Sequence, residues 1–197
     1  MTQGEPPDHS SAWRAWRAST DLDEYHTRWN RMASQGQAVH GEADAVTRLG
    51  ATSVLDAGCG MGRVAVELNA RGIETVGVDA DDDMLRYARS ASGAVEWVHA
   101  DLATVQLGRA FDLVLLAGNV LLFARPGTED AIVANLGRHL ERGGSFIAGF
   151  QLGRSITIED HDRWCEDAGL SAVDRWATWE GAPFEGGDYV VAVHQAR

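Results

Sequence analysis

Beyond residue 50 the chain alternates between two textures. Short apolar or β-branched runs predict strands at Ser53–Asp56, Thr75–Val78, Val95–His99, Phe111–Leu116 and Ser145–Phe150. Between them, apolar positions three and four apart predict helices over Gly62–Arg71, Asp82–Ser90 and Thr128–Glu141, the last followed by a turn at Gly143-Gly144. The run LVLLA at 113–117 has no polar face, as a strand covered on both sides of a parallel sheet requires. Strand and helix in repetition imply right-handed crossovers and a doubly wound sheet.

The flanks differ. Residues 1–11 carry Pro6-Pro7 and little that is apolar, so a mobile start is expected. From there to Gly50 the pattern is helical. Trp13 and Trp16, then Leu22, Tyr25, Trp29 and Met32, form one stripe that stops near Gly36. Val39, Ala43, Val46 and Leu49 form another, ended by Gly50. The tail predicts one helix over Glu159–Ala168, then strands at Val173–Trp179 and Tyr189–His194 joined by EGAPFEGGD, a hairpin closing the sheet. The fold class is therefore α/β: a doubly wound, mostly parallel seven-stranded sheet with an antiparallel C-terminal hairpin strand and N-terminal capping helices.

Composition narrows the chemistry. The 197 residues carry 45% apolar and 23% charged positions, the balance of a globular domain. A net charge of -12 disfavours a nucleic-acid backbone as partner. No apolar run is long enough for a membrane span, and the start MTQGEPPDHSSAW lacks a secretory pattern. Cys59 and Cys165 lie far apart with no CxxC, which fits a reducing cytoplasm.

The most informative stretch is VLDAGCGMGRVAVEL, residues 54–68. Gly58, Gly60 and Gly62 strip the backbone bare at the loop after the first strand, where doubly wound sheets bind ligands. Asp79 at the tip of the second strand can accept from both hydroxyls of a ribose. Asp101 at the tip of the third is either an ordinary loop acid or an acceptor for an exocyclic amine. Dinucleotide folds use G-x-G-x-x-G, whereas this chain has D-x-G-x-G-x-G. Asp56 beside the bend would repel a pyrophosphate and tolerate a ligand carrying ammonium and sulfonium groups, which favours a cationic nucleoside over NAD.

VLDAGCGMGRVAVEL, VGVDADDDMLRYAR, HADL and FDLVLLAGNVLLF together resemble the successive motifs of the Rossmann-like (class I) S-adenosylmethionine-dependent methyltransferases over residues 50–150. The resemblance implies S-adenosyl-L-methionine as cofactor and a single domain over 12–197: a helical cap (12–50), a cofactor-binding core (51–150), and a C-terminal helix and hairpin (151–197). Gly58, Cys59 and Gly60 would lie under the methionine part and Asp56 near its amino group. Asp79 would hold the ribose, with Ala80 beside it. Asp101 and Leu102 would meet the adenine edge. Met84 either packs on the adenine or is a core residue of its helix. Ala117, Gly118 and Asn119 would line the floor near the sulfonium, and Arg28 would pair with the cofactor carboxylate. Cys59 is expected there because it is small, not as a nucleophile.

Methyl transfer to an activated carbon needs alignment more than acid–base groups. The acceptor is expected between the cap and the ends of strands four and five, near Tyr25, Trp29, Phe123, Phe150, Gln151 and Arg154. His26 and Asn119 are the candidate catalytic side chains, and His26 is the base if one is used. AGNV at 117–120 departs from the NPPY pattern of enzymes acting on nucleobase or amide nitrogens, which points to a small-molecule acceptor. The aromatics of the hairpin are expected to pack and His194 to be exposed. The histidines at 26, 40, 99, 139, 161 and 194 show no HxxH or HExxH spacing, so no metal is expected. The chain is expected to act as a monomer or homodimer without membrane or nucleic-acid partners. Two other classes remain: a cofactor-binding protein without transfer activity, and an NAD(P)-dependent oxidoreductase.

Overall fold

Strands form where the apolar runs lie: β1 (Ser53–Ala57), β2 (Glu74–Asp79), β3 (Glu96–His99), β4 (Phe111–Leu116), β5 (Leu140–Gln151), β6 (Leu170–Trp176) and β7 (Tyr189–Ala196). The structure, a computed structural model, describes residues 9–197. All seven strands join one sheet in the order β3-β2-β1-β4-β5-β7-β6. β7 alone runs antiparallel, against β5 and β6. The strand order reverses between β1 and β4, so the loops leaving those two strands diverge and open a crevice at their carboxyl ends.

Helices α4 (Arg63–Ala70), α5 (Asp82–Ala91), α6 (Glu129–Gly137) and α7 (Ile158–Asp167) cover the faces, and α1 (Ser11–Ala18), α2 (Leu22–Ser34) and α3 (Gly41–Arg48) precede the sheet. Two apolar layers result. Leu55, Val114, Phe146 and Val190 pack on one face, and Val54, Leu113, Ile147 and Val191 on the other. This is the two-residue alternation of strands buried on both sides. Among the described residues no helix is long and apolar enough to cross a membrane.

Several elements depart from the sequence expectation. The helix expected over 128–141 ends at Gly137, and the expected Gly143-Gly144 turn lies inside β5. The β4–β5 register shifts between Phe111 and Leu113, so the double glycine, with Gly143 at φ +80°, accommodates a bulge rather than a chain reversal. A short 3₁₀ turn, Val120–Phe123, was not anticipated. The expected mobile start lies outside the described residues for 1–8, but Ser10 is buried. Its hydroxyl accepts from Trp13 N and donates to the Phe123 carbonyl at 2.7 Å, which caps α1 and fastens it to the 3₁₀ turn. His194, expected at the surface, is 1% exposed, because alternation along β7 puts it on the same inward face as Val190 and Ala192.

Phe150 is likewise an inward residue, 1% exposed, with its ring 5.1 Å from that of His161 on α7. Phe150→Ala is expected to lower the unfolding free energy by about 3–5 kcal/mol, as deletion of a buried aromatic does. Denaturant titration measures this, and a loss under about 1 kcal/mol would place Phe150 outside the core.

Candidate functional site

The glycine bend between β1 and α4 is shaped by close neighbours rather than by turn chemistry alone. Gly58 and Cys59 both donate their N–H to the Val78 carbonyl, at 2.8 and 3.0 Å, which ties the loop to the tip of β2. Gly58 has φ +79°, and a Cβ there would stand 2.6 Å from Val120 Cγ2. Gly62, also at φ +79°, precedes the first residue of α4, and a Cβ there would meet the Trp97 indole at 2.4 Å. The backbone must be bare at both positions.

Asp79 fastens this loop. Its Oδ2 accepts from Gly60 N at 2.7 Å and its Oδ1 from Asp81 N at 2.8 Å. Burial raises its pKa and these two backbone donors oppose the rise. Asp56, 2% exposed, is less well supported: a backbone hydrogen bond from Ala65 favours its charged form, but Oδ2 is buried without a hydrogen-bond partner. Desolvation lifts its pKa from 3.8 to about 7, Glu42 and Asp79 push the same way, and Arg63 opposes them. A buried carboxylate oxygen with no donor is a vacancy for a cation or an N–H group. Burial and the charges of Asp79 and Asp56 push the Cys59 thiol well up, so it is a small neutral residue here and not a nucleophile.

These groups line a cavity of about 700 Å³. Its floor includes Asp56, Gly58, Cys59, Gly60, Asp79, Ala80, Met84, Asp101, Leu102, Ala117, Gly118 and Asn119, all of them expected cofactor contacts. Its roof is aromatic. Trp13 and Trp16 stack at 4.7 Å, the Phe123 ring meets Trp13 edge-on at 5.4 Å, and the Tyr25 ring meets Trp16 edge-on at 5.3 Å. Trp13 Nε1 donates to Asp81 Oδ2 at 3.2 Å, joining the roof to the turn that Asp79 organises. Arg63 packs its guanidinium 4.1 Å from the Trp29 ring and bonds Glu42 and the Val39 carbonyl.

Of the other expected residues, Tyr25, His26, Trp29 and Phe123 line the cavity, while Arg28, Phe150, Gln151 and Arg154 do not. Arg28 is exposed, because the inward face of α2 is set by Tyr25, His26 and Trp29, and Arg28 falls outside that arc. Phe150 belongs to the core. Gln151 contributes only its backbone N–H, which Asn119 Oδ1 accepts at 2.8 Å. Arg154 sits exposed beyond β5, where the chain turns to bond β7's approach through Leu152 N and the Asp188 carbonyl. Asn119 lines the floor, but with φ +67° and its amide oxygen committed to Gln151 it positions the β4 and β5 ends. That makes it a poor catalytic side chain. Asp101 Oδ1 caps its own turn through Ala103 N, and Oδ2 lies 3.6 Å from Arg125.

Sequence reasoning missed Ser10, Trp13, Trp16, Glu42, Arg63 and Tyr189 as lining residues. Tyr189 was legible as the first residue of a strand beside β5. Its hydroxyl accepts from Trp179 Nε1 at 3.1 Å, and burial pushes its pKa up to about 12. Arg63 gave no signal, because its partners Val39 and Glu42 belong to the cap, more than twenty residues earlier.

Residues 54–144 match the family described as Methyltransferase domain. A crystal structure of a TehB-like SAM-dependent methyltransferase from Corynebacterium glutamicum superposes with a TM-score of 0.81 at 32% identity, covering 89% of this chain and 97% of that one. An uncharacterized methyltransferase of Mycobacterium tuberculosis is 43% identical over 75 residues, 36% of this chain and 38% of that protein. A trans-aconitate 2-methyltransferase of Azoarcus sp. is 34% identical over 113 residues, 56% of this chain and 43% of that protein. The matched region thus spans about two fifths of the length of these curated relatives.

The desolvated Asp56 makes a signed prediction. With a folded pKa of about 7 against an ordinary 3.8, its ionisation is disfavoured by folding. The penalty is absent where both states are protonated, grows as pH rises through the unfolded value, and is complete above the folded one. Asp56→Asn should therefore gain stability relative to the native chain between pH 3.8 and about 7, with a constant difference above that. Urea midpoints across this range measure it, and a pH-independent difference would contradict the desolvation.

Proposed function

The chain belongs to the S-adenosylmethionine-dependent methyltransferases, and from that premise we propose that it transfers a methyl group to a small-molecule acceptor held under its aromatic roof. The observation that carries this reading is the buried Asp56, whose Oδ2 has no hydrogen-bond partner, in the lining of a glycine-bordered cavity large enough for a nucleoside and a second small molecule. The residues present fit a cationic nucleoside. Asp56 would accept from an ammonium, and Asp79, whose carboxylate retains lone pairs beyond its two backbone donors, would accept from ribose hydroxyls. Met84 and Leu102 offer apolar faces to a base, and Asp101 an acceptor at its edge.

The bound cofactor supplies an activated methyl carbon on a sulfonium. The chain supplies position and dryness: Gly58 and Gly60 admit close approach, Ala117 and Gly118 leave the floor open, and the roof keeps water from the reacting atoms. For an acceptor that must lose a proton, His26 is the imidazole on the roof helix α2 that lines the cavity. The guanidinium groups lining the cavity are those of Arg63 and Arg125, not Arg28. With Glu42, Asp56, Asp79 and Asp101 around them, the lining favours a small neutral or cationic acceptor over a polyanion. The described roof and floor residues lie on one chain, as suits a monomer or a homodimer with separate sites, and both cysteines are free thiols, which suits the cytoplasm.

Isothermal titration should show heat with S-adenosylhomocysteine and none with NADH. Asp79→Ala should weaken the first about 10–100-fold, the loss expected for hydrogen bonds to a charged acceptor. Heat with NADH alone would overturn the reading. Methyl release from labelled cofactor across a metabolite panel then identifies the acceptor, and silence despite cofactor binding would mean binding without transfer.

A further inference from the structure

Away from the cavity, α7 and β7 bury three groups that carry metal-ligand chemistry. His161 and Cys165 stand one helical turn apart on α7, facing the sheet, and His194 points at them from β7. One donor atom from each lies within 4.8 Å of the other two, and all three residues are buried. Cys165 Sγ is 3.8 Å from both ring nitrogens of His161. The surroundings are apolar, with the Phe150 and Phe146 rings 5.1 and 6.3 Å from His161. None of the three lines the cavity described above.

The cluster is incompletely satisfied. Both ring nitrogens of His194 lack a hydrogen-bond partner despite full burial. The carboxylate beside them is Asp162, with Oδ1 3.2 Å from His194 Nε2 but out of line, and this oxygen too has no partner. Arg175 holds the other Asp162 oxygen. Nε2 thus has the Asp162 carboxylate beside it while Nδ1 has no polar partner, and a buried imidazole nitrogen left so is rare in a native interior. A metal-bound histidine, by contrast, uses one nitrogen for the ion and gives the other N–H to a carboxylate. His194 and Asp162 are placed for that division.

We propose that His161, Cys165 and His194 bind one zinc(II) ion that clamps α7 to the closing strand, with Asp162 orienting His194 from behind. Nitrogen and sulfur donors suit zinc and exclude magnesium and calcium. Ligand lengths of about 2.0–2.3 Å require donors roughly 3.4–3.8 Å apart, so donor pairs that lie within 4.8 Å of one another close by at most about 1.4 Å on binding. Cys165 binds as thiolate and its proton leaves to solvent, so affinity rises with pH.

Cobalt(II) is the probe for the test. Full-length protein dialysed against chelator and titrated with cobalt should develop a thiolate-to-cobalt charge-transfer band saturating at one equivalent. Zinc should abolish the band and raise the melting midpoint. Cys165→Ser should remove the band while Cys59→Ser keeps it. Asp162→Asn should weaken zinc binding about 10–100-fold, the effect of losing an orienting partner. Absence of the band in the native chain, or a band that follows Cys59, overturns the proposal. The native-chain titration decides even if Cys165→Ser fails to fold, and none of these readouts depends on cofactor binding or methyl transfer.

Discussion

Two carboxylates buried at adjacent strand tips set the terms for the rest of the cavity. Asp56 pairs in register with Gly77, two residues before Asp79, so both acids sit under the same glycine bend. Burial raises the cost of ionising both, and the charge of Asp79 adds to it at Asp56. The bend resolves half of this conflict by giving Asp79 two backbone donors, from Gly60 and Asp81. Val120 fills the space a side chain at Gly58 would need, so position 58 supplies no side-chain donor. Asp56 lines the cavity with one oxygen unpartnered, so a ligand bringing positive charge or N–H groups suits it.

The same acidic turn holds the roof. Asp81 Oδ1 caps α5 through Asp83 N and Met84 N, while Oδ2 accepts from Trp13 Nε1. Arg17 reaches Asp83 at 3.3 Å, and Tyr87 OH donates to Asp23 at 2.6 Å. Floor and cap are therefore coupled through the residues that follow β2. Exposed pairs of this kind add little stability individually. Their consequence is geometric: the aromatic cluster of α1 and α2 is aimed over the strand tips, with Ser10 fixing its far end to Phe123.

The core of this arrangement was legible in the sequence because it is local. Apolar runs, bare glycines and acids at successive strand tips are each encoded within a few residues, and the twelve expected floor contacts all line the cavity. The acceptor side was less legible because it is built by helix phase and by distant segments. Arg28 and Trp29 are neighbours in sequence, yet only Trp29 faces inward. Phe150 and Gln151 end a strand that points at the site, but one side chain turns into the core and the other chain position offers only its N–H. Arg63 acts through Glu42 and Val39, a pairing that no spacing rule anticipates. The His161, Cys165 and His194 cluster was invisible for the same reason: its members come from a helix and a strand separated by a hairpin.

Unsatisfied polar atoms occur at both ends of the central sheet, and their surroundings give them opposite meanings. Asp56 lines a cavity of about 700 Å³, so a partner for its unpaired oxygen can be large and can exchange. The His194 nitrogens are buried between the His161 ring and the Asp162 carboxylate, away from that cavity. A small ion fits among groups so close together, where an organic ligand does not. An exchangeable organic cation at one end and a fixed inorganic one at the other thus follow from a single rule, that a buried polar atom needs a partner, applied to two cavities of different size.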